Sequence, residues 1–174
     1  NRKVYISGEI VPEVDAKISI FDSAVLLGDT VTESTRTFNF KPFKLDEHLE
    51  RLYKSFKLTR IDPQMTIEEM KKVSLELLEI NKDNYKANED CWLVHNISRG
   101  HSITGGNPAL QVSKPTVMIY TQPMNLVSWA PFYSKGCHAV TPPTRMVPSQ
   151  SLDARIKNRS RLFYTLAEIE AKLV

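Results

Sequence analysis

The chain has 174 residues, enough for one domain and the beginning of a second. Its content of 41% hydrophobic and 25% charged residues is ordinary for a globular protein and excludes a disordered or collagen-like chain. No segment has the roughly 18 apolar residues of a membrane span, and a net charge of +3, with acids and bases interleaved, does not favour a nucleic-acid partner.

The two cysteines, Cys91 and Cys137, cannot form a disulfide framework, and neither stands in a zinc-binding spacing. We interpret both as buried strand thiols. The first residues lead directly into strand-like sequence without a signal peptide, so we expect a cytoplasmic protein. The chain stops within a helical pattern at its last five residues, which predicts that part of the protein is missing.

The first 45 residues favour strands. Val4–Ile10 has Gly8 at a turn, Lys17–Phe21 alternates apolar and polar residues, and Thr30–Phe38 alternates as well. In Thr30–Phe38 neither face is apolar. One face carries Thr32, Ser34 and Arg36, and the other carries Val31, Glu33, Thr35 and Thr37. The strand therefore either lines a polar cavity or is an edge strand with both faces in water.

Two helices are predicted next. Asp46 is expected to cap one over Glu47–Leu58, and a capping box of Thr66 and Glu69 starts another over Ile67–Ile80. Helical spacing predicts buried stripes at Leu45, Leu49, Leu52 and Phe56, and at Ile67, Met70, Val73, Leu77 and Ile80. A separate face of the first helix carries His48, Arg51 and Ser55.

The second half predicts fewer elements. Strands are expected at Cys91–Ser98 and Thr116–Thr121, joined by a loop over Ser102–Pro115. A connector over Gln122–Ala130, with prolines near its ends, leads to a strand at Gly136–Thr141 and a final helix at Arg161–Val174. The fold class is therefore α+β, with a small N-terminal domain at residues 1–121, a connector at 122–130, and the incomplete beginning of another domain at 131–174.

A lysine surrounded by arginines is the sharpest chemical feature. Lys157 lies just before the last helix, among Arg155, Arg159 and Arg161. Neighbouring cations and partial burial both lower the pKa of a lysine. Such a lysine is a nucleophile suited to imine formation with an aldehyde. The alternative is a solvated basic patch.

Two arginines are candidates for binding anions. Arg51 could hold a phosphate through a two-pronged set of hydrogen bonds, or it could be an exposed helix residue paired with Glu47. Arg36 could hold a carboxylate, or it could form a cross-strand ion pair.

The order of the motifs is more specific than any one of them. The matching segments are Ile18–Asp22, Leu27–Asp29, Glu33 with Arg36, Phe43–Ser55, Ile97–Gly100, and Asp153–Asn158 running into Ala167–Ala171. Together they resemble the class IV, fold type IV pyridoxal-phosphate aminotransferases over nearly the whole chain. That family includes branched-chain aminotransferases, D-amino-acid aminotransferases, aminodeoxychorismate lyases and (R)-selective amine transaminases.

The resemblance implies a role for each matched residue. Lys157 matches the lysine that binds pyridoxal 5'-phosphate as an internal aldimine and moves the proton, and Arg51 matches the arginine that holds the cofactor phosphate. Positions in the substrate pocket are matched by Thr32, Ser34, Arg36, Trp92 and Val94, the last two often presented to the neighbouring subunit. The resemblance also implies a two-domain fold and a homodimer.

The chain departs from the family pattern at several places. The glutamate that pairs with the pyridine nitrogen, and a helix N-terminus beside the phosphate, would both fall after Val174; neither Asp22 nor Glu33 is assigned the glutamate's role. Leu162 stands where many branched-chain enzymes have a tyrosine, and Val94 stands where they have an arginine. Arg36 follows the branched-chain pattern.

The resemblance leads to one expected activity and leaves two alternatives. We expect transamination between an amino acid, or an amine, and a 2-oxo acid acceptor. One alternative is a lyase of the aminodeoxychorismate type, which would release pyruvate without an amino acceptor. The other is a non-catalytic binding module of the same fold, with no cofactor. No metal site is expected in any of the three cases.

Overall fold

One antiparallel sheet organises the first part of the chain in the computed structural model, which describes residues 1–86, 89–101 and 114–173. Within these residues the strands are β1 (Lys3–Ile6), β2 (Glu9–Pro12), β3 (Thr30–Phe38), β4 (Lys41–Pro42), β5 (Cys91–Ser98) and β6 (Thr116–Pro123). Their order across the sheet is β2-β1-β6-β5-β3-β4. Most of the predicted loop at Ser102–Pro115 lies outside the described residues.

The strand β3 lies inside the sheet. It pairs with β5 from Thr30 opposite Ser98 to Arg36 opposite Trp92. On its other side it pairs with β4 near its C-terminal end, and near its start Val31 forms an isolated bridge with Asn158. Its predicted bounds are confirmed, but the alternative of an edge strand with two wet faces is wrong. The side chains of Glu33, Thr35 and Thr37 are completely buried.

Among its described residues this part of the chain has three α-helices: α1 (Ser23–Leu26), α2 (Leu45–Thr59) and α3 (Ile67–Asn81). The helix α2 packs on β3, whereas α3 packs on β1 and β6. The predicted stripe of α2 is confirmed, because all four of its residues are buried: Leu45, Leu49, Leu52 and Phe56. These side chains form the hydrophobic core together with apolar side chains of α3 and of the strands.

The helix starts differ in how well the sequence predicted them. The capping box of Thr66 and Glu69 is confirmed, with both reciprocal hydrogen bonds present. The predicted cap at Asp46 is wrong. The helix α2 begins two residues earlier than expected, after Lys44 in a left-handed conformation, so Asp46 lies within the first turn. There its negative charge still favours the helix N-terminus.

Two strands predicted from local pattern are absent from the structure, and a predicted connector is a helix over much of its length. Lys17–Phe21 is an irregular segment in which Ser19 accepts hydrogen bonds from the backbone of Phe21 and Asp22. Residues 136–141 do not form the predicted strand, and the predicted connector is largely helical, because α4 spans Leu126–Lys135. Asn125 caps that helix and Gly136 ends it. The helix was not predicted because it contains Pro131, and proline usually interrupts helices.

The described chain divides into two compact units. The first contains Asn1–Met124 together with Arg155–Arg159, and the second contains Asn125–Ala154 and Ser160–Val174. The second unit holds α4 and the last helix, α5 (Leu162–Ala171). Within it Glu170 accepts hydrogen bonds from the backbone N–H and the hydroxyl of Thr144, at 3.0 and 2.7 Å. The return of Arg155–Arg159 to the first unit was not expected from the single boundary predicted at 122–130.

None of the helices in the described residues combines the length and the apolar composition needed to cross a bilayer.

Candidate active site

A buried carboxylate stands at the centre of the candidate site. Glu33 lies in the middle of β3, and its side chain is 0% exposed. Arg51 donates two hydrogen bonds to it, from Nε to Oε2 at 2.7 Å and from Nη2 to Oε1 at 2.6 Å. The backbone N–H of Ser34 donates to the same Oε1 at 2.9 Å. This two-pronged arginine–carboxylate contact is the strongest geometry that such a pair can adopt.

Two further basic side chains reach the same carboxylate oxygen. His48 Nδ1 lies 3.0 Å from Glu33 Oε1, and Lys157 Nζ lies 3.6 Å from it. His48 and Arg51 are three residues apart on α2, a spacing that places them on one face of a helix. The sheet and the helix therefore bring one buried acid together with three basic groups, which we call the Glu33 cluster: Glu33, His48, Arg51 and Lys157.

The Glu33 cluster keeps its central acid ionised. Burial pushes the pKa of Glu33 upward, but the hydrogen bonds from Arg51 and Ser34 and the nearby charge of Lys157 outweigh it. With a smaller contribution from His48, they hold the pKa of Glu33 below its ordinary value. The buried carboxylate is therefore charged at neutral pH and can hold cations in place.

The main chain around Lys157 is fixed by hydrogen bonds to both β3 and α2. Its carbonyl accepts from the backbone N–H of Thr32 at 2.8 Å, and Arg159 N–H donates to the carbonyl of Thr30 at 2.9 Å. The backbone N–H of Lys157 donates to Ser55 Oγ at 3.3 Å. Lys157 thus lies along the edge of β3 that β5 does not occupy.

The structure gives Arg51 and Lys157 partners that differ from those in the surface alternatives that the sequence left open. Arg51 does not pair with Glu47, which contacts Lys44 instead; its carboxylate partner is Glu33. The Lys157 side chain is 28% exposed and faces that carboxylate, so it is not simply part of a solvated basic patch. A carboxylate at this distance favours the ammonium form of an amine, opposite to the effect predicted from the neighbouring arginines.

The five residues predicted for the substrate pocket lie on one face of two neighbouring strands. Arg36 is opposite Trp92 and Ser34 is opposite Val94, with Thr32 next along β3. Residues directly opposite in an antiparallel pair point to the same face. Of the five, Thr32 and Val94 are buried, and the other three are partly exposed.

This substrate-predicted face is opposite to the face that carries Glu33, because successive strand residues alternate. Lys157 lies at the edge where the two faces meet, since its carbonyl is bound by Thr32 and its amine approaches Glu33. Arg36 does not form the cross-strand ion pair considered above. Its guanidinium lies over the ring of Phe38 at 3.7 Å, and its Nε donates to the carbonyl of Thr37.

Sequence reasoning missed the partners that hold the two predicted cofactor residues. Glu33 was assigned no role, and Ser55 was noted only as sharing a helix face with His48 and Arg51. The face shared by His48, Arg51 and Ser55 was the signal in the sequence, since three polar residues at helical spacing need a polar surface to pack against. The sequence did not show that an acid on the neighbouring strand provides that surface.

A second buried polar contact lies behind the Glu33 cluster. His95, directly opposite Glu33 on β5, is completely buried. Its Nε2 lies 2.8 Å from Ser74 Oγ, whose own proton is donated to the carbonyl of Met70 at 2.7 Å. Nε2 must therefore be the protonated nitrogen. Burial lowers the pKa of His95 to about 4, against an opposing effect of Glu33.

Comparison with known proteins identifies the family. The family described as amino-transferase class IV matches residues 30–173. A protein of Methanocaldococcus jannaschii, named provisionally as a branched-chain-amino-acid aminotransferase, is 36% identical over 97% of this chain and 55% of its own length. A D-alanine aminotransferase of Staphylococcus epidermidis is 32% identical over 69% of this chain and 41% of its own length.

A solved structure shares the fold. The branched-chain aminotransferase of Thermoproteus uzoniensis, crystallised with norvaline, has a TM-score of 0.79 and 25% identity, covering 99% of this chain and 56% of that protein. The chain belongs to the class IV aminotransferase family and has the mixed α/β fold of the N-terminal part of fold type IV enzymes. It spans about half the length of these relatives.

Proposed function

We propose that the protein is a pyridoxal-phosphate-dependent aminotransferase that moves an amino group between an amino acid and a 2-oxo acid. One observation carries the proposal: in a chain of this family, the amine of Lys157 and the guanidinium of Arg51 contact the same carboxylate oxygen. An amine that can form an imine with an aldehyde and a guanidinium that can bind a phosphate are the two groups that this cofactor requires.

The residues present fit the cofactor. Glu33 is fully buried, whereas the side chains of Arg51, Lys157 and His48 are 51%, 28% and 24% exposed. The acid therefore lies at the bottom of the cluster with the basic groups toward solvent. Arg51 and Lys157 are two basic groups against a single carboxylate. They therefore leave an excess of positive charge, which suits a phosphate dianion. Class IV aminotransferases are pyridoxal-phosphate enzymes.

In this proposal Lys157 binds the cofactor through Nζ and acts as the base that takes the proton from the α-carbon of the substrate. Arg51 holds the phosphate. When bound, the cofactor supplies the electron sink that makes this proton acidic enough to remove. The backbone of Lys157 accepts a hydrogen bond from Thr32 N–H and donates one to Ser55 Oγ, and these two bonds limit the positions its amine can reach.

The substrate-predicted face is proposed as part of the binding pocket for the donor. Arg36 would hold a substrate carboxylate, because its charge is permanent and its side chain is partly exposed. Trp92, Val94, Thr32 and Ser34 would line the pocket beside it. An amino acid is favoured over a simple amine as donor, because relatives of this family act on branched-chain amino acids or D-alanine by name.

The proposed assembly is a cytoplasmic homodimer, and the proposed architecture places the small domain at 1–121, the connector at 122–130 and the start of the cofactor-binding domain at 131–174. The homodimer and the division into two domains follow from the family resemblance. Because the chain spans about half of its relatives, the remaining cofactor contacts are expected on the other half of the protein.

Borohydride reduction tests the proposal. The full-length protein is incubated with pyridoxal phosphate, reduced, digested and mapped by mass. A phosphopyridoxyl group on Lys157 supports the proposal, whereas labelling spread over exposed lysines such as Lys172, with Lys157 unmodified, contradicts it. A product assay with an amino donor, in the presence and absence of a 2-oxo acid, then separates a transaminase from a lyase that releases pyruvate alone.

A further inference from the structure

We propose that Glu33 is a positioning residue of the candidate active site: its buried carboxylate holds the Lys157 amine and the Arg51 guanidinium in the relative placement that cofactor binding needs. This inference rests on the proposed function, because it states how two residues of that site are held. Glu33 itself contacts neither substrate nor cofactor in this proposal.

The position of the carboxylate is fixed by the fold. Glu33 is an interior residue of β3, its side chain is fully buried, and the backbone N–H of Ser34 donates to its Oε1. Lys157 and Arg51 have long side chains with many rotamers and are partly exposed. Holding their tips on one rigid acid reduces the conformational entropy that cofactor binding would otherwise cost.

The charge of Glu33 also decides how the basic groups face one another. Around it stand His48 and Arg51 on α2, His95 on β5 and the amine of Lys157. Arg155 and Arg159 lie on the same segment as Lys157. Without the carboxylate, Lys157 and Arg51 would be like charges facing each other, and the ammonium form of Lys157 would be less favourable.

The effect of Glu33 on the protonation of Lys157 and its effect on cofactor binding can be measured separately. The variants are Glu33→Gln, Glu33→Asp and a matched control, Glu50→Gln. Glu50 precedes Arg51 on the same helix and is exposed, with Lys54 as its partner. The full-length protein is freed of any cofactor with hydroxylamine and dialysis. Lys157 is then methylated with formaldehyde and cyanoborohydride across a pH series, and its modification is followed by peptide mass mapping.

The expected results concern the pH profile of Lys157. Near pH 8, Glu33→Gln should raise its rate of methylation roughly threefold to tenfold and move the profile to lower pH. Glu33→Asp, which keeps the charge, should stay close to the wild type, and Glu50→Gln should match it. A Glu33→Gln profile that coincides with the wild type overturns the inference.

Retention of pyridoxal phosphate is a second readout, in which the loss of charge and the loss of positioning should act in opposite directions. Removing a negative charge near a phosphate would by itself tighten binding, whereas losing the positioning of Lys157 and Arg51 should weaken the Kd at least about threefold. Unchanged or tighter binding in Glu33→Gln overturns the inference. If Glu33→Gln does not fold, Arg51→Gln is compared with the Glu33→Gln/Arg51→Gln double variant. Lys157 should then be methylated faster in the double variant, which lacks the carboxylate.

The outcomes also separate this inference from the proposed function. A wild-type protein that never forms a reducible adduct with pyridoxal phosphate contradicts the proposed function, but the methylation profiles still test the contact between Glu33 and Lys157. An adduct on Lys157 that is indifferent to Glu33 supports the function and overturns the inference.

Discussion

Glu33 and Arg51 form a two-pronged ion pair, with both carboxylate oxygens engaged by one guanidinium at 2.7 and 2.6 Å. The pair connects the middle of β3 to the middle of α2. Lys157 reaches the same acid from a segment more than a hundred residues further along the chain. The ion pair between β3 and α2 thus also binds Lys157, which is distant from both in the sequence.

The first prediction concerns Arg51. Arg51→Ala should weaken retention of pyridoxal phosphate by about tenfold or more, because it removes the guanidinium that is proposed to hold the phosphate. It should also lower the free energy of unfolding by roughly 1–3 kcal/mol, because Glu33 stays buried with fewer partners. Equilibrium dialysis and urea unfolding measure the two effects. Lys54→Ala, an exposed change on the same helix, is the control; retention equal to the wild type would count against a phosphate role for Arg51.

The second prediction concerns the amine of Lys157. Lys157→Ala should abolish transamination and the borohydride-stable adduct together, because the alanine side chain has no amine with which to form the imine. Lys157→Arg should do the same, although it keeps a positive charge beside Glu33. Both variants are assayed in the full-length protein, with Lys172→Ala as an exposed control. Residual turnover that depends on the cofactor in either variant would refute the assignment.

The third prediction is a pH dependence of stability that arises from His95. Its pKa is lowered to about 4 by burial, so between that value and its ordinary 6.5 the unfolded chain binds a proton that the folded chain does not. Folding stability from this group is therefore complete above pH 6.5 and is lost as the pH falls toward 4, on the order of 3 kcal/mol in all. Glu33, whose pKa is also lowered, adds a further loss at lower pH.

Urea unfolding followed by circular dichroism at several pH values measures this dependence. His95→Gln should flatten the slope between about pH 4 and 6.5, since the titrating group is gone. His101→Gln, which alters an exposed histidine, should leave the slope unchanged. An identical slope in wild type and His95→Gln would show that His95 is not the source.

The fourth prediction concerns Ser74. Ser74→Ala removes the acceptor of His95 Nε2–H and leaves a buried donor without its partner, so it should lower the free energy of unfolding by roughly 1–3 kcal/mol. Glu76→Ala, an exposed change on the same helix, should cost much less. Equal losses in the two variants would mean that the hydrogen bond contributes nothing measurable.

Ser74 illustrates why part of the fold escaped prediction. The expected stripe of α3 included Ile80, which is 42% exposed, and omitted Ser74 and Leu78, which are buried. Counting apolar residues at helical spacing could not predict that Ser74 faces the core, because Ser74 is buried there against His95, which lies on a different element. The bounds of β3 and β5 and the start of α3 were predictable, since alternation and capping are local.

The sequence by itself determined the family, the alternating strands, the stripe of α2 and the identity of Lys157 and Arg51 as candidates, because each depends on residue types at fixed local spacing. The meeting of Lys157, Arg51 and His48 on Glu33 was decided only by the tertiary structure. Residues 155–159 return to the edge of β3 through hydrogen bonds between backbones, which any sequence can make and which therefore leave no signature in residue type.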